Sequence, residues 1–558
     1  MQLSPTTPAD ISLTSNVRLR KAKLILATIP AGLFCLCLIL IKHHGPYFLR
    51  NNFDPDYVYL LNSLSLLRFQ TPGHTDHPGT TLQLLGAVVV LFKWLWTSLF
   101  VHRQALTDSV LSHPEEYLRA INIVLDVLIS VALYCSAWTV YRLSNSLPAA
   151  LVLQGSVFVY MQTFLALFRV SPEPLLIAAG LALMVPLAPV VLRRGSGANE
   201  NMLAVAAGAI FGFGLITKVT FAPWMAAILL FPKKTQKRRF GITAAVAALV
   251  FLLPVSARFA AMSSWFTSLL THAGRYGKGR VGIPDANVLA ANLVSLWQEE
   301  PALFWFLGVY AIVLLTLPIF RKQGAPLPDG VRPLLLAGCT AITAEVILVT
   351  KHPAFHYLLP ALVLTAFVNS ALWALLPRPS LGTLQIRQVI LVPLIAVIGI
   401  GLVRNWAGFQ WWMGAARTDR QNIAELHAVE ERLLGCRVMG SYRSSLKVYA
   451  LAFGNGSSAG VHGSALEKLY PAAINYDPFG DRFWPWSFMN GENDADADVK
   501  TLVSNGQCVL MEATPLEAST LARRAKDGIR FEALFTAANP ILPSAPTTLY
   551  RLEGAGGP

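Results

Sequence analysis

Charged residues are scarce in this chain, 14% of 558 positions, and acids are scarcer than bases, 31 Asp and Glu against 45 Lys and Arg. With 54% hydrophobic residues and a mean hydropathy of +0.50, this composition excludes a water-soluble protein of such length. Cysteine is sparse too. The six have no metal-binding spacing, and Cys35, Cys37, Cys135 and Cys339 lie inside apolar runs, where a thiol is a small core hydrophobe. Cys436 and Cys508 lie in a polar C-terminal region, and a non-cytoplasmic location would let them form a disulfide. The net charge of +14 does not indicate a nucleic-acid partner, because the basic residues fall in short clusters between apolar runs rather than along one face. Internal repeats and long low-complexity tracts are also lacking.

What is abundant is apolar sequence of bilayer length. A crossing needs about 20 such residues, and runs at 24–41, 118–141, 147–167, 174–192, 240–256, 302–320, 333–350, 357–376 and 388–403 qualify. Two shorter runs, 202–217 and 219–231, form a hairpin broken at Thr217-Lys218, with Pro223 near the start of the second half. The first run follows Arg18, Arg20, Lys21 and Lys23 without a cleavage site after it, so it reads as a retained span. Run 82–101 is ambiguous. If it does not cross, Arg18 to Lys23, Arg142, Arg193-Arg194, the cluster at 233–239, Arg321-Lys322 and Arg378 all fall on the cytoplasmic side, as the positive-inside rule requires. It therefore reads as a helix on or dipping into the membrane, within an external first loop at 42–117; an ordinary span with an eccentric charge pattern is the alternative.

The resulting expectation is a mostly α, polytopic membrane protein of about 11 transmembrane helices. It comprises a cytoplasmic N-terminus (1–23), a transmembrane domain (24–403) and an external α/β domain (404–558). In the last, a helix-like stretch at 417–434 ends at Gly435, followed by strand-like runs at Arg437 to Tyr442, Cys508 to Met511 and Thr547 to Leu552, with 475–498 loop-like.

Candidate chemistry gathers at the external boundary. Asp54-Pro55-Asp56-Tyr57 follows the first span, and Asp76-His77-Pro78-Gly79-Thr80-Thr81 comes soon after. Two carboxylates two positions apart can hold a divalent ion, or one can act as base while the other sets its pKa; each motif alone also reads as a solvated turn. Phe168-Arg169-Val170-Ser171-Pro172-Glu173 adds a guanidinium and a carboxylate, although Glu173 equally suits a helix N-terminus. Lys218 sits between two apolar segments, where a cation is paired, working or snorkelling. Lys351-His352-Pro353-Ala354-Phe355-His356-Tyr357 concentrates one lysine and two imidazoles, which suit a phosphate or an interfacial anchor. The stretch 271–280, containing Arg275 among glycines, reads as a closing loop over a phosphorylated ligand or as merely flexible.

On Asp54 to Tyr57, His77 to Gly79, Arg169 to Glu173, Gly214 to Lys218 and Lys351 to Pro360, the chain resembles the C-type (GT-C) superfamily of membrane glycosyltransferases. That superfamily uses polyprenyl-phosphate sugars and includes protein mannosyltransferases and lipid A aminoarabinose transferases. The resemblance covers 24–376. It implies a GT-C-like fold and transfer of a sugar from an undecaprenyl-phosphate-type donor, with inversion, to a glycolipid, glycan or protein outside the cytoplasm of a bacterial inner membrane. In that scheme Asp54 is the catalytic base and Asp56 supports it or binds a metal, Mg or Mn, no cofactor being certain. Glu173 and His77 support the acceptor or metal. Lys218, Lys351, His352, His356, Tyr357 and Arg275 bind the donor phosphate. The chain departs from the family in reading Asp-Pro-Asp for an adjacent acidic pair, His-Pro-Gly-Thr for His-Pro-Pro-Leu, and His356 where relatives often carry Arg.

The alternatives from other classes are a transporter or flippase of a lipid-linked or anionic solute, and a non-catalytic assembly component. The charge map makes its own prediction: single cysteines introduced at 102–117 will react with an impermeant thiol reagent from the non-cytoplasmic side of intact cells. Labelling only after the membrane is opened would restore 82–101 as a crossing.

Overall fold

The computed structural model describes residues 8–50, 53–76, 79–101, 103–192, 199–273, 277, 279–282, 285–322, 328–376, 384–433, 435–477, 482–484, 486, 499, 502–524 and 528–554. Its apolar runs form helices: α1 (Pro8–His44), α2 (Phe53–Leu67), α3 (Thr80–Phe100), α4 (Leu106–Ser112), α5 (Pro114–Ser144), α6 (Leu147–Ser156), α7 (Met161–Ala166), α8 (Pro172–Leu192), α9 (Glu200–Thr217), α10 (Lys234–Leu252), α11 (Phe259–Thr271), α12 (Ala286–Glu299), α13 (Pro301–Lys322), α14 (Val331–Lys351), α15 (Leu359–Leu375) and α16 (Leu384–Glu430). Helices dominate because, without water, each backbone N–H must find its acceptor within its own segment.

Among the described residues, ten helices are long and apolar enough to cross a membrane. Nine contain expected spans, and the tenth is α3, which is 21 residues long. Two expected spans are shorter than a crossing helix. The run at 147–167 breaks into α6, a single 3-10 turn (Val157–Val159) and α7, separated by Tyr160 in an extended conformation. The run at 219–231 is a 3-10 helix (Val219–Leu230) with Pro223 inside. A proline has no N–H to donate, and the narrower winding accommodates it beside the break at Lys218. The innermost spans are α8 and the one at Phe355–Leu375, with 78% and 83% of their apolar windows buried. Their first residues therefore open at the centre of the bundle end.

The C-terminal region adds α17 (Lys447–Ser457), α18 (Gly463–Leu469) and α19 (Pro515–Arg524). Its strands are β1 (Arg437–Gly440), β2 (Ile474–Asp477), β3 (Arg482–Trp484), β4 (Val509–Ala513), β5 (Ile529–Ala537) and β6 (Thr547–Gly554). They form one sheet in the order β3-β2-β1-β4-β6-β5, with β1 parallel to β2 and β4 and the other pairs antiparallel. Strands β2 and β3 lie where a loop was expected; positions 478–481, 485 and 487–498 of that stretch lie outside the described residues. Cys436 and Cys508 form a disulfide immediately before paired strands β1 and β4, whose register puts Arg437 opposite Val509.

The first loop and this α/β region share one core. Tyr57, Leu60, Leu61 and Leu64 of α2 pack in a single buried cluster with Tyr449 and Leu451 of α17 and Leu118 and Ile121 of α5. Helix α17 crosses α2 so closely that a Cβ at Gly454 would lie 2.8 Å from the Tyr57 carbonyl oxygen. Helix α16, 47 residues long, runs about 70 Å at 1.5 Å per residue, well beyond a hydrocarbon core of about 30 Å. It passes through position 404, where the composition changes, without interruption.

Polar stitches complete the joint. Arg50, at a φ of 50°, donates from Nε to Asp419 at 2.8 Å and from Nη2 to the Ala538 carbonyl at 3.0 Å, while its N–H donates to Ser445 Oγ at 2.9 Å. Arg420 donates to the carbonyls of Lys42 and His43 at the end of α1, satisfying acceptors that the terminating helix leaves open. Asp419→Ala leaves the Arg50 cation buried without its partner, and calorimetry in detergent will show about 3–5 kcal/mol of lost stability.

His462 makes a second prediction. It is fully buried; Nε2 donates to the Leu61 carbonyl at 3.0 Å and Nδ1 accepts from Arg68 at 3.3 Å, an arrangement only the neutral ring allows. Burial holds its pKa down to about 4 from 6.5. The stability it contributes is complete above pH 6.5 and is lost as pH falls towards 4, about 3 kcal/mol in all. A pH series of thermal unfolding will show this acid slope, and His462→Gln will flatten it.

Candidate active site

Asp54 occupies the entry to α2 in an extended conformation (φ −100°, ψ 111°), and its carboxylate side is exposed. Two residues later the same residue type meets the opposite environment. Asp56 is completely buried: Oδ2 accepts from Arg169 Nε at 2.8 Å and Oδ1 accepts from the Val170 N–H. Arg169 also donates from Nη2 to the Asp54 carbonyl oxygen at 2.7 Å. One guanidinium thus ties the start of α2 to the segment before α8. Burial pushes the Asp56 carboxyl up from its ordinary value, opposed by Arg169 and by the Val170 N–H. With both oxygens engaged, Asp56 acts on the position of its neighbours.

Pro172 opens α8, so Glu173 sits in its first turn, where the partial positive charge of the helix end favours a carboxylate. It is buried, and Lys218 Nζ approaches its Oε1 to 2.5 Å, with His356 Nε2 at 3.8 Å from the same atom. Lys218 can reach because it stands in an extended conformation (φ −163°, ψ 139°) between α9 and the following 3-10 helix. Its ammonium also lies 4.3 Å from the centroid of the Tyr357 ring, a cation-π geometry. Lys218 is 4% exposed, so snorkelling does not describe it; it is an internal ion-pair partner.

These groups face a cavity of about 450 Å³ lined by Asp54, Pro55, Arg169, Ser171, Glu173, Lys218, His356 and Tyr357, with Gln162 and Leu165 of α7 and Tyr442 of the α/β region closing it. That volume suits a small-molecule site. Behind the wall, Tyr59 and His74 lie with ring centroids 5.5 Å apart. Burial raises the Tyr59 phenol well above its usual value, and Glu173, Asp76 and Asp54 push in the same direction. Burial lowers the His74 imidazole while Asp76 and Asp54 oppose it. Three carboxylates therefore act on one buried tyrosine.

The structure thus brings Asp54, Glu173, Lys218, His356 and Tyr357 together and places Asp56 beneath them. It does not bring Lys351 and His352 to the cavity. Lys351 Nζ donates to the carbonyls of Leu269 and Leu270 at 2.7 and 2.6 Å, and His352 bonds the Leu269 backbone as well. Both satisfy the carbonyls left open where α11 ends, a need that draws the same cationic donors as a phosphate does. His77 and Arg275 lie outside the described residues. Near Arg275, the chain folds back on α11: Gly277 has a φ of 68°, and a Cβ there would lie 2.4 Å from the Ser268 carbonyl oxygen. Reasoning from sequence left Arg169 without a role, although the guanidinium was visible at the boundary. It missed Tyr59, His74, Gln162 and Tyr442, which carry no local signal.

Two of the three carboxylates at the site are already committed to cations. Glu173 is paired with Lys218 and Asp56 with Arg169, so cationic side chains already stand where an ion would. Among the described residues, the group of three His, Cys, Asp or Glu ligands close enough to hold an ion lies elsewhere.

Fold and site together define an integral multi-pass membrane protein, mostly α, with a small C-terminal α/β domain and a charged cavity at one end of its helix bundle. The chain is similar to two solved structures of ArnT from Cupriavidus metallidurans. One is bound to undecaprenyl phosphate (14% identity, TM-score 0.43) and one is in the apo state (13% identity, TM-score 0.46); each match covers 95% of this chain and 99% of the other. No protein-family model and no curated protein matches the sequence. Identities this low carry no residue role across, so the chemistry rests on the geometry of this site.

The buried pair makes a direct prediction. Lys218→Met strands the Glu173 carboxylate and will cost about 3–5 kcal/mol of stability, whereas adding Glu173→Gln will recover most of the loss. Thermal unfolding of the single and double variants in one detergent measures both.

Proposed function

We propose that this protein is a membrane glycosyltransferase that moves one sugar from a polyprenyl phosphate to an acceptor hydroxyl outside the cytoplasm. The carrying observation is that Asp54 and the Glu173–Lys218 pair open on one cavity of about 450 Å³ at the ends of α2, α8 and α9. An exposed carboxylate supplies a base, and cations lining the same cavity supply a phosphate site.

Asp54 takes the proton of the acceptor hydroxyl as that oxygen attacks the anomeric carbon. The bond from that carbon to the donor phosphate breaks, its electron pair leaves on the phosphate oxygen, and the sugar is inverted by a single displacement. Lys218 and Arg169 face the leaving oxygen. Their effect falls on the chemical step, because the phosphate gains charge as the bond breaks. Asp56 holds Arg169 at that position, and Glu173 holds Lys218 against the Tyr357 ring. His356 adds a donor on the same side. No step here needs a divalent cation; an active-site Mg or Mn ion is tested by assaying transfer after chelation.

The Cys436–Cys508 disulfide supports an oxidising compartment for the C-terminal domain, in keeping with a bacterial inner membrane whose cavity end faces the periplasm. A transporter would gather its charges near mid-membrane in paired repeats, whereas the sequence carries no repeat and its charges fall at the boundaries of the apolar runs. The acceptor is a glycolipid, glycan or protein.

Asp54→Asn tests the reading. Transfer from a radiolabelled polyprenyl-phosphate sugar is expected to fall about 10²–10⁴-fold, with membrane insertion and thermal unfolding unchanged. Full transfer by that variant overturns the proposal.

A further inference from the structure

The end of α16 carries a cluster that sugar transfer does not use. His427 and Glu430, three positions apart and so on one helix face, meet Glu512 of β4. His427 Nε2 lies 2.9 Å from Glu512 Oε1, and one ligand atom from each of the three residues falls within 4.8 Å of the others. Glu512 is completely buried, and its second oxygen accepts from the Ser445 N–H at 2.7 Å. Glu430 Oε2 is shielded from solvent, and the Glu430 carboxyl group lies within reach of the Glu512 carboxyl group. The charges acting on the His427 ring are all carboxylates: Glu512, Glu430 and Glu431.

Two carboxylates this close repel, and a single imidazolium cancels one of the two charges. A doubly charged ion cancels both. We propose that His427, Glu430 and Glu512 form a divalent-cation site. One imidazole nitrogen with carboxylate oxygens is a donor set that zinc takes, with water in the remaining position. His427 and Glu430 are partly exposed, which gives the ion a way in, while the Ser445 N–H fixes the buried ligand, as an outer shell does in built metal sites.

Its place in the fold gives the site a structural role. Glu512 belongs to the sheet, and His427 and Glu430 belong to the helix that enters the membrane. Ser445, which orients Glu512, also accepts from the Arg50 N–H at 2.9 Å, and Ser441 Oγ donates to the Glu512 carbonyl at 2.8 Å. Between them lies Tyr442, a wall of the cavity. An ion here locks helix, sheet and cavity wall into one arrangement, and its binding energy adds to the stability of that joint.

The test uses full-length protein in detergent, stripped with a chelator and titrated with zinc. Calorimetry is expected to show one tight equivalent, accompanied by a higher unfolding temperature. His427→Ala and Glu430→Gln are each expected to weaken that equivalent about 100-fold or more. Both positions are partly exposed, and Glu430→Gln removes the repulsion, so its metal-free unfolding should match or exceed the wild type. Zinc that binds the double variant as tightly as the wild type overturns the proposal, as does a wild-type protein that takes up neither zinc nor manganese.

Discussion

Carboxylates placed among apolar helix ends must find cations, and this requirement organises the centre of the molecule. Asp56 and Glu173 are both buried, and each is held by one basic side chain. Meeting that need joins α2 to the segment before α8, and α8 to the break between α9 and the 3-10 helix. His356 then brings in the start of the span that continues as α15. The cavity is the space left where these junctions converge. Pairs of this kind add little net stability compared with an apolar core, but breaking one is expensive. They therefore specify geometry more than they add energy.

The same logic separates two aspartates that look equivalent in sequence. Asp54 precedes the regular turn of α2 and stays exposed, whereas Asp56 lies within it and turns inward to Arg169. One lines the cavity and the other is committed to position. A dipeptide spacing cannot show this, because the direction of each side chain depends on where helical winding begins.

The spans were legible because about 20 apolar residues in a row have few alternatives, and the strands at Arg437, Val509 and Thr547 because short apolar runs between turns have few as well. Breaks within spans were less so: the run at 147–167 holds Pro148 at its start and Gly155 just before the break, yet its length and apolar content read as one uninterrupted span. Glu173, Lys218, His356 and Tyr357 were legible as boundary charges. Their pairing was not, since the partners lie 45 positions apart or more in the chain. Lys351 and His352 were assigned to a phosphate because helix-terminal carbonyls and phosphate oxygens call for the same donors. Tyr442 and Arg50 were invisible for another reason: their roles arise only when the C-terminal region folds back over the first loop.

Helix α16 has a mechanical consequence. From position 404 to its end at Glu430 it projects about 40 Å and carries the sheet region from which Tyr442 reaches the cavity. A rod that long turns a tilt of a few degrees in the bilayer into a shift of several ångströms at its far end. Membrane thickness sets helix tilt at small energetic cost. The contacts of Asp419 with Arg50 and of Arg420 with the end of α1 brace this lever against the first loop, so the cavity wall keeps its place despite the length of the rod.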